Sequence, residues 1–97
     1  MISPTVGRVV LYHPPESERI AGQPNDQPLD AHVTYVWSDR LINIMAVTPN
    51  GVPYGATSVV LIQDDDPRPP GRFCEWMQYQ KGQAAKYEAL EAKAKST

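Results

Sequence analysis

The stretch Ala31-His32-Val33-Thr34-Tyr35-Val36-Trp37-Ser38-Asp39-Arg40-Leu41-Ile42-Asn43-Ile44-Met45-Ala46-Val47-Thr48 decides the fold. From Ala31 to Trp37 the residue types alternate, with Ala31, Val33, Tyr35 and Trp37 on one face and His32, Thr34 and Val36 on the other. That period of two is what a half-buried strand requires. Ser38-Asp39-Arg40 is a short polar break. Beyond it, Leu41 to Thr48 sets Ile42, Ile44 and Ala46 against Leu41, Asn43, Met45 and Val47, so the two runs read as an antiparallel hairpin.

Upstream, Val6 to Tyr12 is rich in β-branched residues and reads as a first strand that stops before Pro14-Pro15, where the backbone donors are missing. His13 to Asp30 carries four prolines and almost no apolar periodicity, the mark of a long surface loop. Downstream, Pro49-Asn50-Gly51 is a turn signal, Gly55 helps the chain reverse again, and Thr57 to Gln63 reads as a fourth strand. Asp64 to Gly71 is a charged, proline-rich boundary. Phe73 to Tyr79 forms either a short fifth strand or an irregular docked segment.

From Gln80 the composition switches to Ala, Lys, Glu and Gln, which predicts a helix over about Gln83 to Lys95. Its apolar stripe, Tyr87 and Leu90 with Ala84 and Ala94, is narrow, and an isolated helix of this length is marginal in water. It packs on the barrel or on a partner, or it frays. The expected fold is mostly β: a small antiparallel SH3-like barrel or meander of four to five strands plus a C-terminal helix. Residues 1–79 form the β domain with its long loop 13–30, and 80–97 a helical extension. A two-layer sheet with the helix across one face is the alternative.

Ninety-seven residues suffice for one core and no second lobe. A net charge of −2 lacks the basic field of a duplex nucleic-acid binder. The single cysteine, Cys74, excludes an intramolecular disulfide and a cysteine-based zinc site within one chain. No apolar run approaches the ~18 residues that span a bilayer. The expectation is therefore a cytoplasmic protein without membrane or duplex partners.

Catalytic patterns are missing. His13, His32, Cys74, Ser38 and Asp39 nominally offer a base, nucleophiles and an acid, but no nucleophile-elbow or His-Glu-x-x-His spacing joins them. Asp64-Asp65-Asp66 lacks the spacing of a calcium loop and reads as a solvated acidic loop, leaving no metal site and no cofactor to predict. Cys74 beside Phe73 and Trp76 reads as a small buried apolar residue. No glycine-rich loop offers a phosphate cradle.

The remaining signals are aromatic. Trp76 and Tyr79 with Lys81 have the chemistry of a stacking or cation-binding surface, and Trp37 stands beside Asp39 and Arg40 at the hairpin tip. Arg40 is also suited to fork onto a carboxylate or phosphate. The competing reading puts Trp37, Tyr35 and Trp76 in the core of a chain with only one Phe.

The tail Cys74-Glu75-Trp76-Met77-Gln78-Tyr79-Gln80-Lys81-Gly82-Gln83-Ala84-Ala85-Lys86 resembles that of a group of small proteins of tailed phages and prophages. The resemblance extends to Val33-Thr34-Tyr35-Val36-Trp37-Ser38-Asp39-Arg40 and to the Asn50-Gly51 turn. Where that group carries Pro in the tail motif, this chain has Gln78. The resemblance implies a phage origin and supplies no activity.

Together these features predict a non-enzymatic, homo-oligomeric phage protein in the host cytoplasm that sequesters a nucleotide-like or other anionic host signal. Trp37, Asp39, Arg40, Trp76, Tyr79 and Lys81 are the expected ligand contacts. Two alternatives stand beside it: an inhibitor that engages a host protein complex through the acidic long loop and Asp64 to Asp66, and a virion or assembly component that docks through its helix.

Overall fold

The computed structural model describes residues 1–15 and 27–95. Five strands, β1 (Val9–His13), β2 (Leu29–Ser38), β3 (Leu41–Val47), β4 (Pro53–Val60) and β5 (Phe73–Glu75), precede one helix, α1 (Gln78–Lys95). The strands form one antiparallel sheet in the order β4-β3-β2-β1-β5. The middle of the predicted long loop, 16–26, lies outside the described residues.

The sheet curls into a half-barrel, and its irregularities show why. Register shifts fall between Val33 and Tyr35 and between Val36 and Ser38 on β2, and between Ala56 and Val59 on β4, opposite Ile42 to Ile44 of β3. Each such bulge adds bend and twist to its strand. The curl brings the two sheet ends together where the chain leaves β4. There Leu61 forms a single parallel bridge to Cys74, and the Ile62 N–H donates to the Cys74 carbonyl at 3.0 Å. Inside the curl, Tyr12, Ile42, Ile44, Leu61 and Trp76 are the bulkiest fully buried side chains, and Ile2, Val36 and Tyr54 pack against this core from its rim.

The hairpin at Ala31 to Thr48 is present, but its facing pattern differs from strict alternation. Ala31 and Val33 point inward at 0% and 1% exposure, whereas Tyr35 and Trp37 are 51% and 57% exposed. The bulge after Val33 takes up one extra residue, and with a side-chain period of two this flips everything beyond it to the other face. Tyr35 and Trp37 are therefore not core residues, and Val36 faces inward instead.

Several boundaries also shift. The first strand begins at Val9 rather than Val6, because a turn at 6–7 with Gly7 at φ 94° interrupts it. The chain reverses only once after β3, through Thr48 to Val52, where Gly51 at φ 84° donates its N–H to the Thr48 carbonyl at 2.8 Å. Gly55 then lies within β4, which starts at Pro53 rather than Thr57. Phe73 to Glu75 forms the short fifth strand.

The helix starts at Gln78, ahead of the predicted Gln83 and of the boundary at residue 80. Gln80 accounts for the early start: its Oε1 accepts the Met77 N–H at 2.8 Å, and its Nε2 donates to the Val9 carbonyl at 2.9 Å. One side chain thus caps the first turn and ties it to β1. Gln78 occupies the first helical position, where proline is also well tolerated, so the departure from the phage-like motif leaves the helix start intact. The helix does not lie across a sheet face. Its residues 85–93 are all exposed, and the molecule measures 55 × 24 × 24 Å.

Ile42 is fully buried at the centre of the curl. Ile42→Ala is expected to lower unfolding stability by about 2–5 kcal/mol, read from denaturant melts; a loss below about 0.5 kcal/mol would mean that the inner face of the sheet is not the core.

Candidate functional site

The site is organised around Gln63, 2% exposed and the one buried polar residue among those described. Its Nε2 donates to the carbonyls of Ile2 and Asp39, both at 2.8 Å. Its Oε1 accepts the Ile2 N–H and the Trp76 indole N–H, both at 3.2 Å. An amide side chain has two donors and two acceptor lone pairs, and all four are used here. Gln63 therefore gathers three separate pieces of chain: the N-terminal arm, the hairpin tip and the residue that leads into α1.

Arg40 locks the same corner from outside. Its Nε donates to Asp66 Oδ2 at 2.8 Å, and its Nη2 lies 3.5 Å from Oδ1. That hydrogen bond, reinforced by the Gln63 backbone N–H on Asp66 at 2.9 Å, holds the Asp66 carboxyl below its ordinary value. The Met1 ammonium lies 3.2 Å from Asp64 and 3.5 Å from Glu88 on α1. The acidic run is thus divided between partners: Asp66 serves Arg40 and Asp64 serves Met1. Among the described residues no group of three or more His, Cys, Asp or Glu is placed to hold a metal ion.

Two clefts open on either side of the N-terminal arm, beneath α1. The first, about 340 Å³, has Gln63 and Trp76 on its floor and Asp64, Asp65, Lys81 and Glu88 around it. The second, about 430 Å³, is lined by Arg8, Tyr79, Gln80, Gln83 and Tyr87. Met1, Ile2, Ala84 and Glu88 belong to both, so the arm is the wall between them. Volumes of this size suit a small organic ligand.

The predicted contacts divide accordingly. Lys81 lines the first cleft and Tyr79, 73% exposed, the second. Trp76 is a core residue, 2% exposed, and not the open stacking surface expected of it. Asp39 contributes its backbone carbonyl to Gln63, and the Arg40 guanidinium is taken up by Asp66. Trp37 belongs to neither cleft. It stands on the outer sheet face in a T-shaped pair with Tyr35, ring centroids 4.8 Å apart. Its indole N–H donates to Asn43 Oδ1 at 2.9 Å, and the same oxygen accepts the Ser58 N–H at 2.8 Å, with Ser58 in the left-handed region at φ 54°. The two tryptophans therefore do not form one surface.

The nominal catalytic residues are likewise dispersed. His13 stacks on Phe73 at 4.4 Å with its Nε2 3.5 Å from Glu75, which also pairs with Arg68 at 3.0 Å. His32 lies 3.6 Å from Asp30. Cys74 is buried, and burial pushes its thiol up to about 12, far from a reactive thiolate. No described helix is long and apolar enough to cross a membrane. No family model, curated protein or solved structure matches the chain.

Sequence reasoning passed over Gln63, Arg8, Gln83 and the N-terminal arm. Gln63 closes a run of apolar residues just before the acidic turn, a position where a polar side chain either faces water or needs a complete set of partners. That is the one signal that pointed to it.

Gln63→Leu keeps the volume but strands the Trp76 indole N–H and the Ile2 and Asp39 groups. It is expected to cost about 2–5 kcal/mol of stability, with a red shift in buried tryptophan emission; an unchanged melting midpoint would contradict the network. The Asp66 pair adds a pH signature. A carboxyl depressed by folding stabilises the fold above its unfolded pKa, and that contribution is lost as pH falls through the lower folded value. Asp66→Asn should flatten the acid limb of the stability–pH curve; an unaltered limb would count against the pair.

Proposed function

We propose that this protein is a non-enzymatic binding protein whose ligand is small, planar and anionic, of the nucleotide-like class, and sits in the second cleft between the N-terminal arm and α1. One observation carries this reading: Tyr79 and Tyr87 line that cleft together with Arg8, whose guanidinium makes no ion pair among the described residues, and with the carboxamide of Gln83. Tyrosine faces stack on bases without sequence preference, a guanidinium pairs with phosphate in two-pronged fashion, and a carboxamide reads a base edge. The first cleft, ringed by Asp64, Asp65 and Glu88, is the less hospitable of the two to an anion. The tail motif's resemblance to tailed-phage proteins supplies only the context of a phage origin; within it the protein sequesters a nucleotide-like host signal in the host cytoplasm, a counter-defence role.

Titration with adenosine monophosphate, cyclic nucleotides and adenosine-diphosphate-ribose, followed by calorimetry and thermal shift, tests the proposal. Binding of at least one is expected, weakened about tenfold or more by Arg8→Ala and by Tyr79→Ala, which corresponds to about 1.4 kcal/mol. No heat and no shift with any of them would sink it.

A second reading, a protein–protein inhibitor of a host complex, is favoured by the Tyr35–Trp37 pair. Two large aromatics more than half exposed and held in place by Asn43 have the character of interface anchors. On this reading a stoichiometric host partner is lost with Trp37→Ala and retained with Arg8→Ala; retention with both variants would remove it.

A further inference from the structure

We infer that the outer face of the half-barrel around Asn43 is a binding site for an uncharged saccharide, with Trp37 and Tyr35 as its stacking rings. The inference does not rest on the ligand of the second cleft, and it gives the Tyr35–Trp37 pair an occupant other than a host protein.

Two irregularities of the sheet converge on Asn43. On one side, the bulge after Val33 turns outward both Trp37 and Tyr35, the residue that faces Asn43 across the ladder. On the other side, β4 bulges between Ala56 and Val59, and there Ser58 takes a left-handed φ of 54°. A serine in that region is uncommon, and bulges and strained residues concentrate where a sheet presents side chains to a ligand. Asn43 holds the arrangement together: its Oδ1 accepts the Trp37 indole N–H at 2.9 Å and the Ser58 N–H at 2.8 Å. Two donors on one atom fix which end of the amide is oxygen. The amino end therefore carries two N–H groups, and neither they nor the Ser58 hydroxyl has a partner among the described residues. Trp37 is pinned by this bond and by the edge contact with Tyr35, yet it stays 57% exposed. The site is an open, preorganised ring face with spare donors at its side.

The chemistry of this surface selects the ligand. A pyranose carries C–H bonds on its faces and hydroxyls around its rim. The C–H face suits the negative face of an indole or phenol ring, and the rim hydroxyls accept from amide N–H groups and exchange bonds with a serine hydroxyl. Leu41, Met45 and Val60, which flank Asn43 on the same face, are uncharged. Nothing in this set neutralises a phosphate or carboxylate, in contrast to Arg8 in the second cleft. A protein interface, for its part, keeps a dry centre and leaves its polar groups to the rim. Here the open donors belong to the residue that positions the rings, so polar and stacking contacts fall at one spot, as a sugar needs.

Titration with cellohexaose, chitohexaose and maltohexaose to millimolar concentration, followed by tryptophan fluorescence and calorimetry, tests the inference. At least one is expected to bind, with a blue shift and protection from acrylamide quenching of the exposed Trp37, while Trp76, 2% exposed, is already shielded. Trp37→Ala should abolish binding with the far-ultraviolet dichroism of the sheet retained, and Tyr35→Ala should weaken it about tenfold. Ser58→Gly suits the left-handed backbone and removes the hydroxyl, so it should melt higher and bind about threefold more weakly. No heat and no spectral change with any of the three saccharides, or binding indifferent to Trp37→Ala, would overturn the inference. A host protein held through Trp37 by a chain that binds no saccharide would overturn it too and leave the second reading standing. Saccharide binding without nucleotide binding would leave it intact while removing the second-cleft reading.

Discussion

The Gln63 amide is the interaction on which the rest of this structure depends. A buried amide missing even one partner is costly, because its desolvation is not repaid, whereas one with every partner present fixes the groups around it. Here those groups come from positions 2, 39 and 76, so a single side chain holds together segments that share no sheet ladder. The N-terminal arm has no strand of its own, yet it forms the wall between both clefts. Its position is set by two hydrogen bonds to Gln63 and by Ile2 packing against the core.

The same corner solves a problem of size. A chain of this length has too little interior to cover both sides of a sheet, and it must still protect its edges. Bulges in β2 and β4 curl the sheet until Leu61 reaches Cys74, which closes one end with a bridge rather than a full ladder. The remaining edge, β4, is blunted by Pro53 at its start, by the left-handed Ser58, and by Arg72, whose guanidinium donates to the Thr57 carbonyl at 2.7 Å. These are ordinary devices against edge-to-edge pairing.

The hairpin from Ala31 to Thr48, the Asn50-Gly51 turn and the C-terminal helix were legible because each rests on local chemistry: alternation, a residue tolerant of positive φ, and strong helix formers. The inward or outward choice at Tyr35 and Trp37 was not. It depends on a bulge, and a bulge arises from how two strands settle against one another and not from the residues of one strand. The helix start was misjudged for a similar reason, since Gln80 acts through a carbonyl on β1, about seventy positions away in the sequence. Aromatic residues were recognised as the informative ones, yet residue type alone does not separate Trp76 in the core from Tyr79 on the surface. Gln63 and Arg8 escaped notice because their meaning lies in partners distant in sequence.

The interior of the curl is filled by Tyr12, Ile42, Ile44, Leu61 and Trp76, so it has no space for a ligand of its own. On the proposed binding role, recognition falls at the seams between its parts, where segments outside the sheet face one another. The seam between the N-terminal arm and α1 carries cations, carboxylates, carboxamides and tyrosine faces within two adjoining clefts. Its geometry is not independent of the fold: Gln63 places the arm, Gln80 places the first turn of the helix, and Trp76 spans the short distance between them. Gln63, with all four of its bonds internal, and Gln80, bonded to Met77 and Val9, thus define the walls, and Tyr79, Gln83 and Tyr87 are exposed between them.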